Sequence, residues 1–177
     1  MVPPRRRGPL KPAGPDADPP AADIARFAED FRARRLEAAL QQATALAKSF
    51  PRSPVAHEAL AATLVGLGRL EPAAAAYGRL AALDPKNAAA RFVMGGILAD
   101  LNRMPEAVDA YRAGLALQPR QPEILNNLGN ALQALDRFAE AADAYRAALA
   151  LKPDYSRAQN NLGNALVALG RREDALA

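Results

Sequence analysis

The sequence predicts an all-α fold, a solenoid assembled from repeated helical units, and three observations carry that prediction. Half of the 177 residues are hydrophobic but only 5% are aromatic. Alanine supplies roughly a quarter of the chain, a composition suited to closely packed helices rather than to sheets, which draw on β-branched and aromatic residues. Pro51, Pro85, Pro119 and Pro153 recur at an interval of 34 residues, each closing an apolar run such as Ala82-Leu83-Asp84 or Leu117-Gln118. Laying residues 88–121 over 122–155 then matches about 15 of 34 positions, among them Glu106 with Glu140, Ala107 with Ala141, Tyr111 with Tyr145 and Leu115 with Leu149.

In chain order, residues 1–20 come first and hold Pro3, Pro4, Pro9, Pro12, Pro15, Pro19 and Pro20 with few large apolar side chains. That backbone is too constrained for a helix and too polar for a core, so the segment is expected to be a disordered, partly polyproline-like tail. Its Arg5-Arg6-Arg7 run reads as a solvated charge cluster. Residues 20–53 follow as a degenerate first unit. Its second half matches the later units through Ala39, Leu46 and Pro51, and in its first half Ile24, Phe27 and Phe31 form a short amphipathic stripe expected to pack on the next unit. Three full units span 54–87, 88–121 and 122–155, and a truncated one spans 156–177.

The sequence resembles the tetratricopeptide repeat family, whose 34-residue units carry an L-G-x-x-Y…A-x-x-x-F…P pattern. Segment 122–155 places Leu128, Gly129, Leu132, Ala141, Tyr145, Ala148 and Pro153 at the signature positions. Segment 88–121 places Met94, Gly95, Leu98, Ala107, Tyr111, Gly114 and Pro119 there, and segment 54–87 places Leu60, Ala61, Leu64, Ala73, Tyr77, Leu80 and Pro85. The family's leading Trp is replaced by His57, Arg91, Leu125 and Gln159. The resemblance implies a right-handed superhelical solenoid of antiparallel helix pairs covering residues 21–177.

The signature residues also have a physical reading. Two helices approach closely only where side chains are small, so Gly95, Gly129 and Gly163 in first helices and Ala73, Ala107 and Ala141 in second helices are expected contact points. Tyr77, Tyr111 and Tyr145 are expected to fill the space between neighbouring repeats. The turns Gly68-Arg69, Asn102-Arg103, Asp136-Arg137 and Gly170-Arg171 put Gly, Asn or Asp where a first helix must stop and reverse. Glu106, Glu140 and Glu173 then enter the next helix near its positive end. None of the glycines stands in a phosphate-loop arrangement. In the last unit, the apolar face of Leu162, Leu166 and Leu169 is expected to lack the covering helix that would normally follow.

Little chemistry is available to such a chain. It has no Cys and one His, which removes thiol nucleophiles, disulfides, thiolate zinc sites and iron–sulfur clusters. His57 has no second His or thiol to work with and reads as a surface or groove residue. Carboxylates such as Glu106, Asp109, Glu140 and Asp143 recur at the repeat interval and read as solvated faces. No catalytic residue, metal or cofactor is expected. The net charge of +4 is small, about half of it lies in the tail, and no basic face carries aromatic stacking platforms, so nucleic acid is not the expected partner. No apolar run is long enough to span a membrane, and the expected location is cytoplasmic.

One polar constellation stands out. Asn126-Asn127-Leu128-Gly129-Asn130-Ala131-Leu132 returns unchanged as Asn160-Asn161-Leu162-Gly163-Asn164-Ala165-Leu166. Asn is a poor helix former, so six of them in two helices imply hydrogen-bonding work. The spacing predicts that Asn126, Asn127 and Asn130 form one patch opposite Leu128 and Leu132, and that Asn160, Asn161 and Asn164 repeat it. A carboxamide both donates and accepts, so it can hold the N–H and C=O of an extended peptide. Helices about 8–10 Å apart would present one patch for about every three residues of a strand. By the resemblance that face lines the groove of the superhelix, which implies peptide-backbone binding at Asn127 and Asn161, helped by Asn130 and Asn164. The corresponding places in earlier units hold Phe92, Val93 and Gly96, and before them Glu58, Ala59 and Ala62.

The expected function is therefore a protein-interaction scaffold that binds an extended peptide or a partner protein in its concave groove. The alternative is the non-catalytic front part of a modular enzyme that continues past Ala177, since the Asn-rich element is similar to repeats attached to O-GlcNAc transferases and similar arrays precede bacterial sulfotransferases. The uncovered final helix also raises the expectation of self-association.

Overall fold

A computed structural model describes residues 17–170. Among these residues the regular structure is helical throughout, in the order α1 (Ala21–Arg32), α2 (Leu36–Ser49), α3 (Pro54–Gly66), α4 (Leu70–Leu83), α5 (Ala88–Asp100), α6 (Met104–Leu117), α7 (Pro122–Gln133), α8 (Phe138–Leu151) and α9 (Ser156–Ala168). First helices from α3 onward begin at residues 54, 88, 122 and 156, and second helices at 36, 70, 104 and 138, so both series step by 34 residues. Residues 1–16, with the expected Arg-rich tail, and residues 171–177, with Glu173, lie outside the described residues.

The helix ends follow from the local sequence. Each first helix stops at a residue in the left-handed region, where φ is 59° at Arg34, 69° at Gly68, 58° at Asn102, 57° at Asp136 and 76° at Gly170. The next backbone N–H then reaches back across the last turn, as from Arg69 to the Leu64 carbonyl (2.9 Å), from Arg103 to Leu98 (2.8 Å) and from Arg137 to Leu132 (3.0 Å). Gly, Asn and Asp tolerate that conformation and account for four of the five turns. At Arg34 the same backbone bond runs from the Arg35 N–H to the Asp30 carbonyl (2.9 Å), and Arg35 Nε adds a bond to the Asp30 carboxylate (2.6 Å). Every second helix ends two residues before its proline. At the starts, Ser53 Oγ caps α3 by accepting from the Ala56 N–H (3.3 Å), and Asn87 Oδ1 caps α5 by accepting from the Ala90 N–H (2.9 Å).

The chain forms two compact units, one up to Leu83 and one from Asp84. In the first, α1 packs on α2, α2 on α3 and α3 on α4. Its core is Phe27, Ala39, Ala43, Leu46, Phe50, Ala56 and Ala59. The expected tail is corrected at its end: Ala17 lies against this core, Pro19 is buried, and Asp18 accepts a hydrogen bond from Ser53 Oγ (2.6 Å). Ser53 is only 2% exposed, and Asp18 satisfies a hydroxyl whose oxygen is already capping α3, which ties residues 17–20 down.

In the second unit α5 packs on α6, α6 on α7, α7 on α8 and α8 on α9, while the first helices α5, α7 and α9 also touch in sequence order. Ala107 and Ala141 are fully buried, as expected of close-contact positions. Two of the tyrosines also pack within their own pair. A Cβ on Gly95 would come within 2.7 Å of the Tyr111 ring and one on Gly129 within 2.4 Å of Tyr145, so each ring occupies the space over the glycine of its own pair. The same device appears at Gly114, where a Cβ would meet Phe92 at 2.4 Å. On α9, which packs on α8, Leu166 is 3% exposed and Leu162 half-buried, while Leu169 (37%) and Val167 (49%) are exposed; the segment that would cover this face lies outside the described residues.

Candidate functional site

The six asparagines fall into two groups with different work. Asn126, on α7, is completely buried, and its Oδ1 accepts from Asn161 Nδ2 of α9 at 3.0 Å. The same Asn161 amide donates to Asn130 Oδ1 at 2.9 Å, and the Tyr145 hydroxyl donates to that oxygen at 2.8 Å while lying 3.3 Å from Gln133 Oε1. This network joins α7, α8 and α9. Asn126, Asn130 and Asn161 are therefore tied into the scaffold, and the expected single surface patch is corrected: Asn126 points into the packing between repeats and offers nothing to a peptide. Burial pushes the Tyr145 hydroxyl up to about 12, which keeps it a donor to Asn130 across the physiological range.

Asn127 is different. It is half-buried and, with Asn130, lines a hollow of about 290 Å³ whose other walls are Gly96, Ala99, Asp100, Met104, Tyr111 and Ala131. The hollow belongs wholly to α5, α6 and α7. Asn127 is the counterpart of Asn161, but the two acceptors that hold Asn161 have Phe92 and Gly96 as their counterparts in this step, and neither side chain can accept a hydrogen bond. The Asn127 carboxamide has no hydrogen-bond partner among the described residues. Asn160 and Asn164 lie exposed on α9, with no hydrogen-bond partner among the described residues.

Asp100, Met104 and the hydroxyl end of Tyr111 were not singled out as site residues by sequence, although Asp100 carries a signal: the equivalent positions are Arg32, Gly66, Ala134 and Ala168, so a carboxylate occurs once. Burial raises the Tyr111 hydroxyl above its usual range, and the Asp100 carboxylate raises it further.

The first unit has a hollow in the equivalent region, about 170 Å³, lined by Ile24, Phe27 and Phe31 of α1 and by Val55, Glu58, Ala59 and Ala62 of α3. The amphipathic stripe of α1 thus faces α3 and leaves an apolar recess open.

In three of the four units the position of the family's leading Trp is a structural clamp, Leu125 having no group to donate. His57 Nε2 donates to the Pro51 carbonyl (3.0 Å), Arg91 Nη2 to Pro85 (3.0 Å) and Gln159 Nε2 to Pro153 (2.8 Å), each reaching back six residues to the proline that closes the preceding helix. That bond occupies the chain's one His. Among the described residues no group of His, Cys, Asp and Glu is arranged to hold a metal ion, and no helix is long and apolar enough to cross a membrane.

Residues 95–136 match the family model described as TPR repeat, and residues 122–155 match that of the tetratricopeptide repeat. The stretch 95–155 accordingly carries tetratricopeptide repeats. Among solved structures, the MamA protein superposes with a TM-score of 0.83 at 20% identity, over 88% of this chain and 85% of that one. MamA from Desulfovibrio magneticus RS-1 gives 0.78 at 19% identity over 88% of each chain. YrrB, described as a TPR protein with an unusual peptide-binding site, gives 0.80 at 18% identity over 88% of this chain and 80% of its own. These likenesses establish the fold as an all-α solenoid of helix pairs. No curated protein matches the chain significantly.

Proposed function

We propose that this tetratricopeptide-repeat chain is a protein-interaction scaffold without a reaction of its own, and that the first-helix face of its second unit receives an extended segment of a partner protein. The observation that carries the reading is Asn127, a carboxamide at the edge of a hollow with no acceptor supplied from α5, where the Nδ2 of its counterpart Asn161 is held by two acceptors. A free carboxamide on a rigid helix can donate to one peptide carbonyl and accept from one N–H. The peptide-binding site described for YrrB, which shares the fold, supports the reading. Nucleic acid is left out because the net charge is only +4 over 177 residues. A cytoplasmic setting belongs to the same proposal. So does self-association, with Val167 and Leu169 of α9 meeting a second copy.

The test is selection of ten-residue peptides from a displayed random library by the full chain, followed by anisotropy measurements with a synthetic binder. Asn127→Ala should weaken the binder about fivefold to tenfold, the worth of one or two hydrogen bonds, with the helical circular dichroism unchanged. An unchanged affinity removes Asn127 from the site.

A further inference from the structure

The step from α5 and α6 to α7 and the step from α7 and α8 to α9 use equivalent positions, yet one is closed and the other open. In the closed step Asn130 fills the space beside Tyr145, accepting from that hydroxyl at 2.8 Å and from Asn161 at 2.9 Å. In the open step the place of Asn130 is taken by Gly96. A Cβ there would meet only the Tyr111 hydroxyl, at 3.8 Å. The absent side chain leaves the hollow of about 290 Å³ and leaves the Tyr111 hydroxyl and Asn127 facing it. On the rim stands Asp100, exposed, the one charged residue among those lining the hollow and without an ion-pair partner among the described residues.

Resting on the peptide-binding reading above, we infer that this hollow takes the lysine or arginine side chain of the bound segment. The Asp100 carboxylate, Asn127 Oδ1 and the Tyr111 oxygen are all acceptors and converge on one space, which suits a group that only donates hydrogen bonds. Met104 and the Gly96 backbone leave an apolar path for the methylene stem of such a side chain. A carboxylate entering the hollow would be repelled by Asp100, and a neutral apolar side chain would strip water from that carboxylate without replacing it. Because Arg32, Gly66, Ala134 and Ala168 hold the equivalent positions and none is acidic, the preference is local: one basic residue of the ligand is read, at one place.

The experiment takes the strongest peptide from the library selection and replaces its basic residue by norleucine or by glutamate, measuring each against the full wild-type chain, Asp100→Asn and Gly96→Asn. The selected set should be enriched in a Lys or Arg at one position. Norleucine should lower the wild-type affinity at least tenfold and glutamate further. Asp100→Asn should weaken the basic peptide about tenfold and leave the norleucine peptide unchanged, and Gly96→Asn, which rebuilds the closed step, should abolish the preference. Binders with no basic enrichment, or an Asp100→Asn effect equal for basic and norleucine peptides, overturn this inference and leave the backbone-binding reading standing. If the library yields no binder at all, both fall.

Discussion

Gly129 and Tyr145 meet so closely that one methyl group decides how well their pair packs. Gly129→Ala would put a Cβ 2.4 Å from the ring, and the expected loss is about 1–3 kcal/mol of stability, since a buried ring has no room to yield. Gly66→Ala is the control, because its Cβ would touch Leu36 at an ordinary 3.4 Å and helix propensity favours Ala by up to about 1 kcal/mol. Thermal melts of the two variants should move in opposite directions. Ala141→Leu, at a position with no exposure, should cost a similar 1–3 kcal/mol for the same steric reason. The asparagines separate in the same experiment. Asn161→Ala strips the donor from the buried Asn126 oxygen and should cost about 1–3 kcal/mol, whereas Asn127→Ala should leave the melting temperature near that of the wild type. Equal effects would mean that the partition of the two residues drawn from their hydrogen bonds is wrong.

Between helices, the charged contacts repeat with the fold. Glu140, in the first turn of α8, receives both Nε and Nη2 of Arg137 at 2.8 and 2.7 Å and, from α6, Arg112 Nη2 at 2.7 Å. The hydrogen bonds from Arg137 first, and from Arg112 second, hold its carboxyl down to about 2. A depressed carboxylate contributes stability above its ordinary pKa of 4.5 and loses it as the pH falls towards about 2. The side chain is about half exposed to solvent, at 45%, so screening keeps the contribution small. An NMR titration should give a Glu140 midpoint near 2, and the stability difference between wild type and Glu140→Gln should vanish across that fall. At this scale the sequence was informative where the backbone has a strong rule: four of the five left-handed turns and the proline after each second helix could be read directly. Arg34 could not, because no Gly, Asn or Asp marks it. The clamp from His57, Arg91 and Gln159 escaped for a related reason, since three unlike side chains share only the ability to donate a hydrogen bond.

Across the molecule, a 34-residue period in the prolines was enough to place the helices, because each unit repeats one solution to the same packing problem. The site was half legible. Six asparagines in two copies of one motif were visible as a group, but which of them remain free depends on the residues one repeat earlier, Phe92 and Gly96 for Asn127, Asn126 and Asn130 for Asn161. A motif search sees the copies as equal, and the packing makes them unequal. The exposed Val167 and Leu169 carry the expectation of concentration-dependent association, and light scattering should show it diminished in Val167→Asp with Leu169→Asp; a monomer at every concentration would remove self-association from the proposal. The tyrosines have a consequence of another kind. The chain has no Trp, and Tyr77, Tyr111 and Tyr145 sit singly in the pairs α3/α4, α5/α6 and α7/α8, so its ultraviolet emission is already divided among neighbouring pairs. Replacing any two of them by Phe keeps a ring in each buried space and leaves one internal lamp, with Tyr155 before α9 as the only other source. Three such proteins, unfolded side by side, would show whether the solenoid melts from one end or all at once.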